Sequence, residues 1–65
     1  MLTEKEKLFL KTVLNNKTYK DAAIILGISE EQLRDNIKII YNKLGVKNRI
    51  QACLKVYKYE NISNN

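Results

Sequence analysis

The 65-residue chain carries twelve lysine and arginine residues against seven acidic ones, for a net charge of +5. A chain of this length buries only about 60% of its unfolded surface, so we expect one small domain without room for an enzyme cleft. It has one cysteine and no histidine, which excludes an internal disulfide and leaves no credible zinc site and no base to activate a nucleophile. We expect neither enzymatic activity nor a cofactor.

The sequence has no stretch near the roughly 20 apolar residues that a membrane span needs. Its N-terminus is acidic where a secretory signal peptide would be basic, so we expect a cytoplasmic protein. The basic charge favours an anionic partner, of which nucleic acid is the commonest. Small domains also carry such charge for solubility alone.

Four helix-start signals divide the chain. Each is a residue that can cap a helix, followed three positions later by one whose side chain can reach back. The pairs are Thr3 with Glu6, Thr18 with Asp21, Ser29 with Gln32, and Asn48 with Gln51. They predict one all-α domain over residues 1–65, with helices near 4–15, 19–26, 30–44 and 49–59 and fraying over 60–65.

In the first three predicted helices, apolar residues recur at helical spacing and indicate one buried face each. These residues are Phe9, Leu10, Val13 and Leu14, then Ala22, Ala23 and Leu26, then Leu33, Ile37, Ile40 and Leu44. We expect Asn16 to end the first helix in the left-handed conformation.

The segment "LGIS" joins the second and third helices. Leu26 ends one helix, Gly27 supplies the turn, Ile28 enters the core and Ser29 caps the next helix. A short connection of this kind, containing glycine, predicts a helix-turn-helix unit.

The fourth predicted helix has more apolar residues than one core-facing stripe needs. We expect Ile50, Leu54 and Tyr57 to face the core. A second stripe would then be available to a two-fold dimer; its members are Ala52, Cys53, Val56 and Tyr59. The alternative is that this stripe packs on the N-terminal arm around Leu2 and Leu8, with Cys53 as a small buried hydrophobe.

Three segments together resemble one family. "LTEKEKLFL" is similar to a Leu-Thr-x-Arg-Glu start, "TYKDAAIILGIS" to a second helix and turn, and "SEEQLRDNIKIIYNKLGVKNRIQA" to a third helix with its Lys-Leu-Gly-Val end and the following Arg-x-x-Ala. The chain thus resembles the LuxR/GerE-type helix-turn-helix domain of bacterial transcription regulators. The resemblance implies a cytoplasmic four-helix domain that binds double-stranded DNA, often as a homodimer joined through the fourth helix.

The resemblance places the DNA contacts on the second and third helices. The implied residues are Arg34, Lys38, Gln32, Asp35, Asn36, Lys20 and Lys43. Arg34 would contact guanine, while Lys20 and Lys43 would suit phosphates. The resemblance also implies an ion pair between Glu6 and Arg49, which removes Arg49 from the DNA ligands.

Acidic residues complicate this interpretation. From Ser29 to Leu44 the charges of Arg34, Lys38 and Lys43 are cancelled by Glu30, Glu31 and Asp35. Because phosphate neutralisation dominates affinity, we expect weak non-specific binding. Asp35 could accept from a cytosine amino group or pair with Arg34 or Lys38.

Two functions follow from these patterns. The first is a stand-alone, sequence-specific transcription regulator whose third helix enters the major groove. Changing Arg34 to alanine should remove its specific DNA binding. The alternative is a module that binds another regulator or RNA polymerase with little DNA affinity, which the neutral third helix and Ile39 favour. Tyr19 and Tyr41 either contact phosphate or pack their rings with the hydroxyls outward.

Overall fold

The computed structural model describes residues 2–64 and the side chains of residues 2–56. The helices in chain order are α1 (Glu4–Asn15), α2 (Tyr19–Leu26), α3 (Glu30–Leu44) and α4 (Arg49–Asn64). No strand occurs in this part of the chain, and the predicted all-α class is confirmed. α4 continues past the predicted end at residue 59, because no glycine or proline follows to stop it. Over the same residues, no helix is long and apolar enough to cross a membrane.

The predicted caps form. The Thr3 hydroxyl accepts from the Glu6 amide at 3.1 Å, and the Glu6 carboxylate accepts from the Thr3 amide at 2.9 Å. Ser29 and Gln32 make the same reciprocal pair at the start of α3, at 3.0 and 3.2 Å. Each capping box satisfies amide groups that the first helical turn leaves unpaired.

At the starts of α2 and α4 only one of the two hydrogen bonds of a capping box forms. The Thr18 hydroxyl accepts from the Asp21 amide at 3.1 Å, and the Asn48 side chain accepts from the Gln51 amide at 2.9 Å. The Gln51 side chain does not return to Asn48 but accepts from the backbone amide of Lys47 at 2.8 Å.

Both glycines end helices in the left-handed region, Gly27 with φ 71° and Gly45 with φ 72°. After α2, the Ile28 amide donates to the Ala23 carbonyl at 3.1 Å, which is the long hydrogen bond of a Schellman motif. The turn predicted between α2 and α3 is therefore confirmed. The prediction for Asn16 is wrong: it is extended, with φ −121° and ψ 150°.

The core lies between α1, α2 and α3 and includes one residue of α4. Its buried members are Phe9, Leu10, Val13, Ala22, Ala23, Leu33, Ile37, Ile40 and Ala52. The buried faces predicted for the first three helices are confirmed, with Leu14, Leu26 and Leu44 half-buried at the margin. Two adjacent buried alanines, Ala22 and Ala23, let α2 approach its neighbours closely.

The prediction for α4 is wrong at the described core-stripe residues, which lie outward, and at Ala52 and Val56 of the predicted dimer stripe, which pack inward. Ile50 and Leu54 are 73% and 63% exposed, whereas Ala52 is completely buried and Val56 packs partly against the core. Cys53, predicted to lie in the dimer stripe or alternatively to be a small buried hydrophobe, is exposed, so the buried alternative is wrong. The side chains of Tyr57 and Tyr59 lie outside the described ones. We call Ile50, Cys53 and Leu54 the outer face of α4.

Candidate nucleic-acid interface

The exposed side of α3 is set by its buried stripe. Leu33, Ile37 and Ile40 are at most 2% exposed, so the residues between them must point away from the core. Arg34, Asp35 and Lys38 are all exposed on that opposite side. Three of the predicted contact residues of α3 thus lie on one exposed side of a helix that cannot rotate without unpacking the core.

Among the described residues, the Arg34 guanidinium makes a hydrogen bond with Glu30 and a cation–π contact with Tyr19. Its Nη2 atom donates to Oε2 of Glu30 at 2.9 Å, one turn earlier on the same helix. Its guanidinium carbon lies 5.5 Å from the centroid of the Tyr19 ring, on the first residue of α2. Asp35, which could have held Arg34, is not its partner.

A shallow depression of about 250 Å³ lies between the start of α2 and the exposed side of α3. Its lining residues are Tyr19, Arg34, Asp35, Ile37, Lys38 and Tyr41. The Tyr41 hydroxyl oxygen is buried there without a hydrogen-bond partner among the described residues, so its hydroxyl does not point outward to solvent. Burial, with a contribution from nearby Tyr19, raises the pKa of Tyr41 to about 12.

The two amide side chains predicted to contact DNA, those of Gln32 and Asn36, form hydrogen bonds with backbone groups of α3 and its N-cap residue. Gln32 accepts from the Ser29 amide at 3.2 Å as part of the capping box. The Asn36 amide group donates to the Gln32 carbonyl at 2.9 Å. Either residue would have to leave this hydrogen bond, or use its remaining polar atom, to contact a base.

The two lysines proposed for phosphates differ. Lys20 is exposed in the first turn of α2. Lys43 is instead bound to both carboxylate oxygens of Glu6, at 2.8 and 3.0 Å. This hydrogen bond, assisted by the Thr3 amide, lowers the pKa of Glu6 below its usual value of 4.5.

The ion pair implied between Glu6 and Arg49 is therefore wrong. Arg49 donates to three backbone carbonyls at the end of α1: Asn16 at 2.6 Å, Leu14 at 3.2 Å and Lys17 at 3.4 Å. Its guanidinium thus satisfies carbonyls at the end of α1 that a left-handed cap at Asn16 would otherwise help to satisfy. The conclusion that Arg49 is not a DNA ligand still agrees with these contacts.

Sequence reasoning missed the contact between Tyr19 and Arg34. The two residues are far apart in the chain, and only the packing of α2 on α3 brings the ring beneath the guanidinium. The one available signal is an aromatic residue at the first position of a helix that precedes a helix-turn-helix turn.

The sequence is similar to those of known bacterial regulators. The family described as "Bacterial regulatory proteins, luxR family" matches residues 1–56. The chain is 38% identical over 56 residues to the Spore germination protein GerE of Bacillus subtilis (strain 168), covering 86% of this chain and 76% of GerE. No solved structure gives a significant match.

Two longer regulators of the same organism are also similar. Transcriptional regulatory protein YdfI is 41% identical over 51 residues, and Transcriptional regulatory protein DesR is 43% identical over 51 residues. Each match covers 78% of this chain but only 24% of YdfI and 26% of DesR, so the chain spans about a quarter of their length. By its family match and its likeness to GerE, the chain belongs to the luxR family of bacterial regulatory proteins.

Proposed function

We propose that this chain binds double-stranded DNA by laying α3 in the major groove and acts as the DNA-binding part of a transcription regulator. The observation that carries the proposal is the exposed position of Arg34 and Lys38 on the face of α3 opposite its buried stripe. In this arrangement Arg34 contacts guanine, a contact worth about 1–3 kcal/mol of discrimination. Lys38 and Lys20 contact flanking phosphates.

The number of phosphate contacts is limited because several cations already have partners within the domain. Lys7 pairs with Glu4, Lys43 with Glu6, and Arg49 and Lys55 with backbone carbonyls. Of the predicted contact cations, Lys20 and Lys38 have no ion pair among the described residues, while Arg34 is paired with Glu30. This count supports weak non-specific binding, since each neutralised phosphate contributes about −0.9 to the logarithmic salt slope.

The proposal includes a homodimer through the outer face of α4. Ala52 and Val56 pack inward, so among the described side chains of α4 the apolar surface available to a second copy is Ile50, Cys53 and Leu54. Exposed large apolar side chains clustered on one helix favour association. A two-fold dimer would present two copies of α3 to two half-sites.

Fluorescence anisotropy of a labelled mixed-sequence duplex, titrated at several salt concentrations, tests DNA binding. We expect a slope of about −2 to −3 per domain, from two or three phosphates. Selection from a randomised pool then yields a preferred duplex. Arg34→Ala should lose preference for it, whereas Lys11→Ala, which removes an exposed charge from α1, should retain that preference.

The alternative function is a protein-interaction module, favoured by the neutral charge sum of α3 and by Ile39, which is 52% exposed. It predicts no duplex binding even at low salt. It also predicts that Arg34→Ala leaves partner binding through α4 unchanged. The same titration and the same variant therefore separate the two functions.

A further inference from the structure

We propose that Tyr19 is a positioning residue that holds the Arg34 guanidinium in its base-reading orientation, an inference that rests on the proposed function. The ring centroid lies 5.5 Å from the guanidinium carbon. A cation over the face of an aromatic ring is attracted by the ring quadrupole. Tyr19 thereby controls sequence preference without touching a base.

The Tyr19 ring can serve as a fixed platform because it is anchored. Tyr19 is half-buried and packs against the core, and it opens α2, whose alanines are buried against the neighbouring helices. Its position is thus set by the same packing that fixes α3. Arg34, in contrast, is 61% exposed at its side chain, and a long exposed side chain otherwise samples many rotamers.

Glu30 alone does not provide this orientation. It binds Nη2 of Arg34 from the preceding turn, but it is a half-exposed carboxylate, with 41% of its side chain exposed, and it competes with guanine for the same donors. Contacts between exposed ion pairs are weak and exchange readily. The ring quadrupole attracts the delocalised cation as a whole and does not act as a single acceptor for one N–H group, so the ring contact can persist when Arg34 releases Glu30 and binds a base.

The lining of the depression agrees with this role. Tyr19, Arg34 and Lys38 surround it, so the ring and the two cations face one space. A direct contact of the Tyr19 hydroxyl with phosphate would use the same location but a different part of the residue. The hydroxyl and the ring are separable by substitution.

The test compares Tyr19→Leu, which keeps apolar bulk against the core but lacks the aromatic face, with Tyr19→Phe, which keeps the face but lacks the hydroxyl. Binding is measured by anisotropy to a duplex selected by the unmodified protein and to a mixed-sequence duplex. We expect Tyr19→Leu to weaken binding to the selected duplex about two- to fivefold. Its affinity for the mixed duplex should be retained, and Tyr19→Phe should bind both like the unmodified protein.

A double-mutant cycle makes the assignment specific to Arg34. In an Arg34→Ala background, Tyr19→Leu should cost nothing further, because its partner is gone. In the unbound protein, NMR should show ring-current shifts of the Arg34 side chain that vanish in Tyr19→Leu and persist in Tyr19→Phe.

Several results would overturn the inference while leaving the proposed function intact. These are equal losses in Tyr19→Phe and Tyr19→Leu, equal weakening on both duplexes, or an undiminished effect of Tyr19→Leu in the Arg34→Ala background. Failure of the unmodified protein to bind any duplex would instead overturn the proposed function and, with it, the role of Tyr19 in base reading.

Discussion

Arg49 donates a hydrogen bond from Nη2 to the backbone oxygen of Asn16 at 2.6 Å, joining the start of α4 to the end of α1. The same guanidinium reaches the carbonyls of Leu14 and Lys17. A cation among the unpaired carbonyls at a helix C-terminus also complements the helix dipole. α4 is thus attached to the three-helix core by a polar contact as well as by Ala52.

Replacing Arg49 by alanine should therefore destabilise the domain. Hydrogen bonds to a charged donor contribute about 1.5–3 kcal/mol, and the exposed position of Arg49 favours the lower end, about 1.5 kcal/mol. Urea unfolding followed by circular dichroism measures the change. Lys47→Ala is the matched control, because it removes an exposed charge two residues away; an equal loss in both variants would contradict the capping role.

The starts of the helices could be predicted from sequence because a cap depends on residues three positions apart. Thr3 with Glu6 and Ser29 with Gln32 form within a single turn, whatever the rest of the chain does. The buried stripe of α3 is equally local, since Leu33 and Ile37 alternate with charged residues at a clear helical period.

Contacts between helices could not be predicted in the same way. α4 has apolar residues on nearly every side, so its sequence does not indicate which face packs inward; the position of Ala52 is decided by tertiary packing. The partners of Glu6 and Arg34 also depend on distances across the fold. Lys43 and Tyr19 are found only once α1, α2 and α3 are packed together.

The stability of the domain should fall in acid through Glu6. Because Lys43 lowers the pKa of Glu6 below 4.5 in the folded state, the carboxylate stabilises the fold above the unfolded-state pKa. This stabilisation is lost as the pH falls through the lower, folded-state value. Urea midpoints between about pH 3 and 6 should therefore rise with pH, and Glu6→Gln should flatten this rise.

Glu4→Gln provides the comparison for Glu6→Gln. Glu4 contacts Lys7 at 3.4 Å, but its side chain is 93% exposed, so solvent screens the pair. Its substitution should leave the acid dependence nearly unchanged. A similar flattening in both variants would mean that general charge, not the contact with Lys43, sets the pH response.

Alanine at Gly27 should destabilise the turn between α2 and α3. The φ of 71° costs about 1–2 kcal/mol for a residue with a Cβ atom. No heavy atom outside its chain neighbours lies within 4 Å of that Cβ position, so the cost is conformational rather than steric. Gly27→Asn should cost less, because asparagine tolerates the left-handed region. Thermal unfolding of the two variants checks this order, which a steric cause would not produce.

Association through the outer face of α4 should be sensitive to charge at Leu54. Leu54→Glu places a carboxylate on the exposed apolar surface and should shift the protein towards monomer in sedimentation equilibrium, without a loss of monomer stability. Leu8→Glu is the matched control, since Leu8 is 56% exposed on α1. Equal sedimentation of both variants would place any dimer contact elsewhere.

Asp35 should oppose DNA binding through its charge rather than through an intramolecular contact. It is exposed, lines the depression beside Lys38, and does not pair with Arg34. Asp35→Asn keeps the shape of the side chain and removes one repulsion from approaching phosphates, so affinity for a mixed-sequence duplex should rise. Lys38→Ala should lower that affinity and reduce the magnitude of the logarithmic salt slope by about 0.9. If Asp35→Asn instead weakens binding to the selected duplex alone, Asp35 accepts from a base, with cytosine as the expected partner.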